Sequence, residues 1–237
     1  MEATNEIDRA IFLYEKASQK AVSSRMFGNL ANLYYKSEDY GRAILNYRKA
    51  LVLDHNNRDI LSSLAYVRKV AELAPLKLPE FSYLSGETNN LWKILLAALF
   101  WIGLLIVTYI SFYRGSKKFS FIFLGCWVVS IVIIGFFIDR SGKNRRLSEL
   151  EVIALKPKLI NETNSSSVIQ LRRFAAANSS ANTEVKTGQS LLIEESSLGT
   201  INSHKTQNSE KWLLVRTPDG RKKGWVMANE IGWITRN

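Results

Sequence analysis

The sequence predicts a multidomain chain: an all-α helical repeat, a two-helix transmembrane hairpin and a small all-β barrel. Three observations carry that prediction. A short amphipathic pattern recurs 33 residues apart near the N-terminus, two uncharged apolar runs of 20 residues lie in the middle, and the last third alternates short β-type runs with turns. The 237 residues divide accordingly into a repeat over 1–75, a linker over 76–90, spans over 91–113 and 119–138 joined by a loop over 114–118, a basic linker over 139–150 and a β module over 151–237.

The repeat comes first. "IDRAIFLYEKAS" from Ile7 and "YGRAILNYRKAL" from Tyr40 align Ala10 with Ala43, Tyr14 with Tyr47 and Ala17 with Ala50. In each copy the small, aromatic and small residues fall at i, i+4 and i+7, which is one face of a helix. Small residues let a neighbouring helix approach closely, and the tyrosine fills the space beside them. Between the copies lies "SRMFGNLANLYYKSED", with Phe27, Leu30, Ala31 and Tyr34 on one face, and after the second comes "RDILSSLAYVRKVAEL", with Ile60, Leu64, Val67 and Val70. The expectation is four helices with two alternating patterns.

The window 24–57 resembles the tetratricopeptide repeat (TPR) family, placing Phe27, Leu30, Tyr34, Ala43, Tyr47 and Ala50 at its signature spacings. It departs at Ala31, where the family usually has glycine, and at His55, where it usually has proline. The resemblance implies that the first helices of successive units line a groove for a partner's peptide. By repeat position Asn29, Asn32 and Lys36 from one helix and Ser62, Tyr66 and Lys69 from the next face that groove. Ordinary solvated residues on a short array are the competing reading. His55, alone in a turn, is read as structural.

The apolar runs Ile94 to Tyr113 and Phe119 to Ile138 carry no charge. A 20-residue helix is about 30 Å long, enough for a hydrocarbon core, so both are expected to span a membrane. Trp92, Trp101, Tyr109 and Tyr113 near the expected ends add to the pattern. A five-residue loop, 114–118, makes the pair an antiparallel hairpin with both flanking regions on one side. Charge supports a lipid contact. Of the formal +11, residues 1–90 contribute only +1, whereas 114–146 contribute +6 through Arg114, Lys117, Lys118, Arg140, Lys143, Arg145 and Arg146 against Asp139. Basic residues packed beside apolar runs fit a membrane surface rather than nucleic acid. The single cysteine, Cys126, lies inside the second run and is read as a packing residue, and the first ten residues hold no signal-peptide pattern.

Beyond residue 146 the runs "SVIQLRRF", "QSLLIEE", "KWLLVRT", "KGWVM" and "GWIT" are strand-like, and Pro218 to Gly220 suits a tight turn. Residues 212–234 resemble the closing part of a bacterial SH3-like domain. Trp212 to Val215, Asp219 to Arg221, Gly224 to Val226 and Asn229 to Ile231 match its last strands, turn and short helical turn. Alternation places Leu213 and Val215 on one face and Trp212 on the other. Trp212 and Trp225 therefore either line a groove for cell-wall peptide or glycan, or complete the small core.

Catalysis has little to stand on. His55 and His204 are far from any nucleophile in sequence, no nucleotide-binding or metalloprotease motif occurs, and no cluster has metal-ligand spacing. No cofactor is implied. The glycosylation triplets at Asn161, Asn164 and Asn178 are of the kind that Asn/Ser-rich linkers produce by chance. The order of repeat, apolar hairpin and barrel is similar to that of the TPR and SH3 membrane proteins of the Bacteroides aerotolerance (Bat) type. That resemblance implies a non-enzymatic scaffold in a bacterial inner membrane, both soluble regions facing the periplasm. It would assemble protein partners such as von Willebrand A-type membrane proteins, in oxygen tolerance or envelope stress. The alternative is an envelope anchor or sensor that binds cell wall through the SH3-like domain.

Overall fold

The structure, a computed structural model, describes residues 2–18, 20, 22–75, 86–113, 125, 127–136, 149–156, 168–196, 199–206 and 210–235. The loop 114–118, Cys126, the basic stretch 139–146 and the triplets at Asn161 and Asn164 lie outside them. The chain forms two compact units: Met1–Lys77 together with Leu147–Asn237, and Leu78–Arg146.

The first unit opens with α1 (Glu2–Ser18), α2 (Ser24–Lys36), α3 (Tyr40–Leu53) and α4 (Arg58–Val70). Each of the last three starts on a side-chain cap. Ser23 Oγ accepts from Met26 N at 3.2 Å, Asp39 Oδ1 from Arg42 N at 3.0 Å and Asn57 Oδ1 from Ile60 N at 3.2 Å. Such caps satisfy backbone donors that the first turn leaves unpaired. Two helices end alike. After α2, Glu38 takes φ 62° while Glu38 N bonds Tyr35 O and Asp39 N bonds Tyr34 O. After α4, Glu72 takes φ 52° while Glu72 N bonds Lys69 O and Leu73 N bonds Arg68 O. This paired closure favours glycine at the left-handed position. Glu38→Gly is therefore expected to stabilise the fold by about 0.5–1 kcal/mol in urea unfolding, because it relieves that conformation without touching the core.

Apolar residues at helical spacing meet between the helices. Phe27, Leu30, Ala31 and Tyr34 of α2 pack with Ala43, Tyr47 and Ala50 of α3 and with Ile60, Leu64 and Val67 of α4. The α3 helix is buried far beyond that face: Gly41, Ile44, Leu45, Asn46 and Leu51 are buried as well. The reason lies in the β module.

That module is an antiparallel sheet of β1 (Glu151–Ala154), β2 (Val168–Arg172), β3 (Ala181–Lys186), β4 (Ser190–Ile193), β5 (Ser203–Lys205), β6 (Lys211–Arg216), β7 (Lys223–Met227) and β8 (Ile231–Trp233). The order across the sheet is β3-β2-β7-β6-β4-β1-β8, with β5 paired on β6. A 3-10 turn, Ala228–Glu230, joins β7 to β8. The inner face is closed by Val152, Ala154, Ile169, Leu171, Val185, Leu191, Ile193, Leu213, Val215, Val226 and Ile231.

The sheet docks on α3. Ile153 and Ile234 join the helical core rather than the sheet's own, with Leu155 packed against them. Contacts run along one stripe of α3, at Gly41, Ile44, Leu45 and Arg48, which is i, i+3, i+4 and i+7. A β-carbon built on Gly41 would lie 2.5 Å from Thr187 Cγ2, and one on Gly232 would lie 2.4 Å from Leu45 Cδ2, so the two surfaces fit without a gap. Arg48 Nη2 donates to the Glu151 carboxylate, and side-chain exposures of 11% and 14% make this a largely buried pair. Arg42 Nη2 reaches Lys156 O at 3.4 Å, and Lys186 pairs with Glu72 at 2.9 Å on the exposed rim.

The second unit contains α5 (Gly86–Tyr113) and a helical stretch over 127–136. Among the described residues no helix is long and apolar enough to cross a membrane. This overturns the two-span hairpin and the inner-membrane placement built on it. Absence of charge is one condition for a span; a helix of sufficient length and apolarity is the other, and no described helix meets both. Within the second run the described residues 127–136 are helical. The first run lies within α5, whose opening turns, ahead of the run, hold Glu87, Thr88, Asn89, Asn90 and Lys93. The two runs do touch: Trp127 Nε1 donates to Leu99 O at 3.1 Å, and its ring lies 5.8 Å from that of Phe100.

Candidate functional site

Between α1 and α2 lies an open depression of about 280 Å³ lined by Ala10, Tyr14, Asn29, Asn32, Leu33 and Lys36. The helical spacing of α2 accounts for three of these: Asn29, Asn32 and Lys36 recur at i, i+3 and i+7 on one edge, opposite the buried face. Tyr14 and Ala10, which α3 repeats as buried Tyr47 and Ala43, here form the other wall.

Polar groups in the depression are held from behind. Asn29 Nδ2 donates to Tyr14 Oη at 3.4 Å. The Tyr47 hydroxyl donates to Asn32 Oδ1, so the acceptor of that amide is occupied and its Nδ2 hydrogens remain for a ligand. Burial pushes the Tyr47 phenol up from the usual 10.0, with Ser63 of α4 acting in the opposite sense. Lys36 is exposed at the rim. With an apolar floor, amide donors and an ammonium at one end, the depression suits an extended peptide presenting a small apolar side chain and a carbonyl or carboxylate.

A second phenol braces α1. Tyr34 donates to the Glu15 carboxylate, and burial, followed by that carboxylate, raises its pKa well above the usual 10.0. A group held neutral in the fold stabilises it fully below the pH at which the unfolded phenol ionises, and loses that contribution as pH rises past 10.0. Unfolding free energy is expected to fall between pH about 9 and 11, with a shallower fall in Tyr34→Phe, as urea titrations at each pH would show.

The remaining expected groove residues sit elsewhere. Ser62, Tyr66 and Lys69 are exposed on α4 and do not line the depression. Ser62 Oγ donates to Asp59 O at 2.9 Å, within its own turn. Tyr66, 57% exposed, meets Tyr35 of α2 edge-on at 5.9 Å, and Tyr35 meets Tyr40 at 6.0 Å. Tyr35 and Tyr40 carry no repeat signature, so nothing in the pattern singled them out.

On the β module the two indoles part company. Trp212 is 0% exposed, with the Arg172 guanidinium 5.7 Å from its ring centre, while Trp225 is half-buried opposite Leu214. Of the two alternatives for Trp212, its burial fits an interior position rather than a groove wall. Alternation itself holds, since Leu213 and Val215 join the inner cluster and Trp212 does not; Trp212 is buried on the other face, where the Arg172 guanidinium lies over its ring. Among the described residues no group of His, Cys, Asp and Glu could hold a metal ion.

Paired antiparallel helices whose buried faces repeat define a helical-repeat fold. A family model described as a TPR repeat matches residues 31–69, so the chain carries a TPR. TPR repeats are interaction modules that bind protein partners, and they are typically non-catalytic. No curated protein and no solved structure matches the chain.

Proposed function

We propose that the protein is a non-enzymatic scaffold that holds an extended segment of a partner protein in the depression between α1 and α2. The observation that carries this reading is the convergence of Asn29, Asn32 and Lys36 around an apolar floor, with the Asn32 amide pre-oriented by Tyr47. Pre-orientation lowers the ordering cost of a polar contact on binding. The β module reads as SH3-like, a reading supported by the 3-10 turn before its last strand and the tight turn at Pro218–Gly220. A TPR followed by an SH3-like module is an order similar to that of the Bat-type proteins, which makes von Willebrand A-type proteins the first partners to try, with oxygen tolerance the first phenotype.

A photoreactive residue at Lys36 tests the groove in cells. Crosslinks to one protein segment, competed away by a synthetic peptide of that segment, are the expected result. Equal crosslinking from a photoreactive residue placed at exposed Arg58 would sink the reading.

A further inference from the structure

The helix α3 serves two surfaces at once. One face, with Ala43, Tyr47 and Ala50, packs on α2 and supports the depression; the adjoining face, with Gly41, Ile44, Leu45 and Arg48, packs on β1, β8 and the β3–β4 turn. Tyr47 and Arg48 are neighbours in sequence. The first holds Asn32 and meets Ser63; the second holds Glu151, 103 residues further on.

We propose that the β module positions the peptide groove, although none of its residues lines it. Clamped between α2 and the sheet, α3 cannot roll about its axis, so the Tyr47 hydroxyl stays at Asn32 Oδ1 and the Asn32 amide keeps one orientation. Tyr47, Leu45 and Arg48 are positioning residues in this arrangement. Without the sheet, α3 would have only its α2 and α4 contacts, and the Asn32 side chain would sample several rotamers. The functional weight of this inference rests on the peptide reading of the depression, but its test does not.

The measurement is the side-chain order parameter of the Asn32 Nδ2 group by NMR in the full chain without ligand, together with its chemical shift. Tyr47→Phe removes the hydroxyl and is expected to drop the order parameter below about 0.6, the range of a flexible group. Leu45→Ala loosens the packing of α3 on Gly232 of β8 and is expected to shift Asn32 in the same direction, with backbone order along α2 unchanged. Ile234→Val, a milder change on the sheet's side, is expected to give a smaller shift of the same sign and serves if Leu45→Ala does not fold. Glu72→Gln, which breaks the exposed rim pair, is expected to leave Asn32 alone. An Asn32 signal that responds to Tyr47→Phe but to neither sheet-side variant overturns the proposal, as does one that ignores Tyr47→Phe. If Asn32 responds as expected while Lys36 crosslinking finds no partner segment, the positioning stands and the peptide reading falls.

Discussion

Glu151→Gln is expected to lower the unfolding free energy of the first unit by about 3 kcal/mol, since removing one partner of a buried ion pair leaves the other uncompensated. The cost is high here because two guanidiniums depend on this carboxylate. Arg68 is 6% exposed, its ionisation pushed down by burial and then by Arg48, with Glu151 acting in the opposite sense. Arg68 gives Nε and Nη2 to Ala74 O at 3.2 and 2.7 Å, but among the described residues Arg68 Nη1 and Arg48 Nε are buried without a partner. Losing the carboxylate's charge would leave that short supply of acceptors shorter. The double variant Arg48→Met with Glu151→Leu should recover much of the loss, because a packed apolar pair of similar volume is often as stable as a buried ionic one. Urea unfolding of the three chains measures both effects.

A similar loss, about 3 kcal/mol, is expected for Gly188→Ala. Gly188 takes φ 84°, where an L side chain is strained, and a β-carbon there would lie 2.7 Å from Ile44 Cδ1 and 3.7 Å from Gly41 Cα. Backbone strain and overpacking against α3 add. Gly220 separates the two: its φ is 72° and an added β-carbon would meet nothing within 4 Å. Gly220→Ala should therefore cost only the conformational part, about 1 kcal/mol. Equal losses in the two variants would show that the sheet is not seated tightly on α3.

What the sequence disclosed follows from the range of each interaction. The alignment of Tyr14 with Tyr47 is local and periodic, so the helices, the face bearing Ala43, Tyr47 and Ala50, and the placing of Asn29, Asn32 and Lys36 together could all be read. The second face of α3 was equally periodic in Gly41, Ile44, Leu45 and Arg48, yet its meaning depended on Ile153, Gly188 and Gly232, more than a hundred residues away. Nothing local links Arg48 to Glu151. Alternation put Trp212 on the face away from Leu213 and Val215, as it stands, but could not say that Arg172, forty residues earlier, would lie over its ring. The apolar runs mislead for a different reason: absence of charge is visible in a sequence, but a span also needs a helix of sufficient length and apolarity, which no described helix has.

A helix packed on both sides has lost the freedom that lets repeat proteins grow. One residue inserted at the middle of α3 would turn its C-terminal half by about 100°, carrying Tyr47 and Arg48 away from both neighbours in a single step. A consensus unit transplanted in its place would bring the inward face and omit the outward one. The unit around α3 is therefore no longer an interchangeable module. It has specialised into a one-of-a-kind junction, and its sequence should drift under the constraints of two partners while ordinary repeats answer only to the next copy.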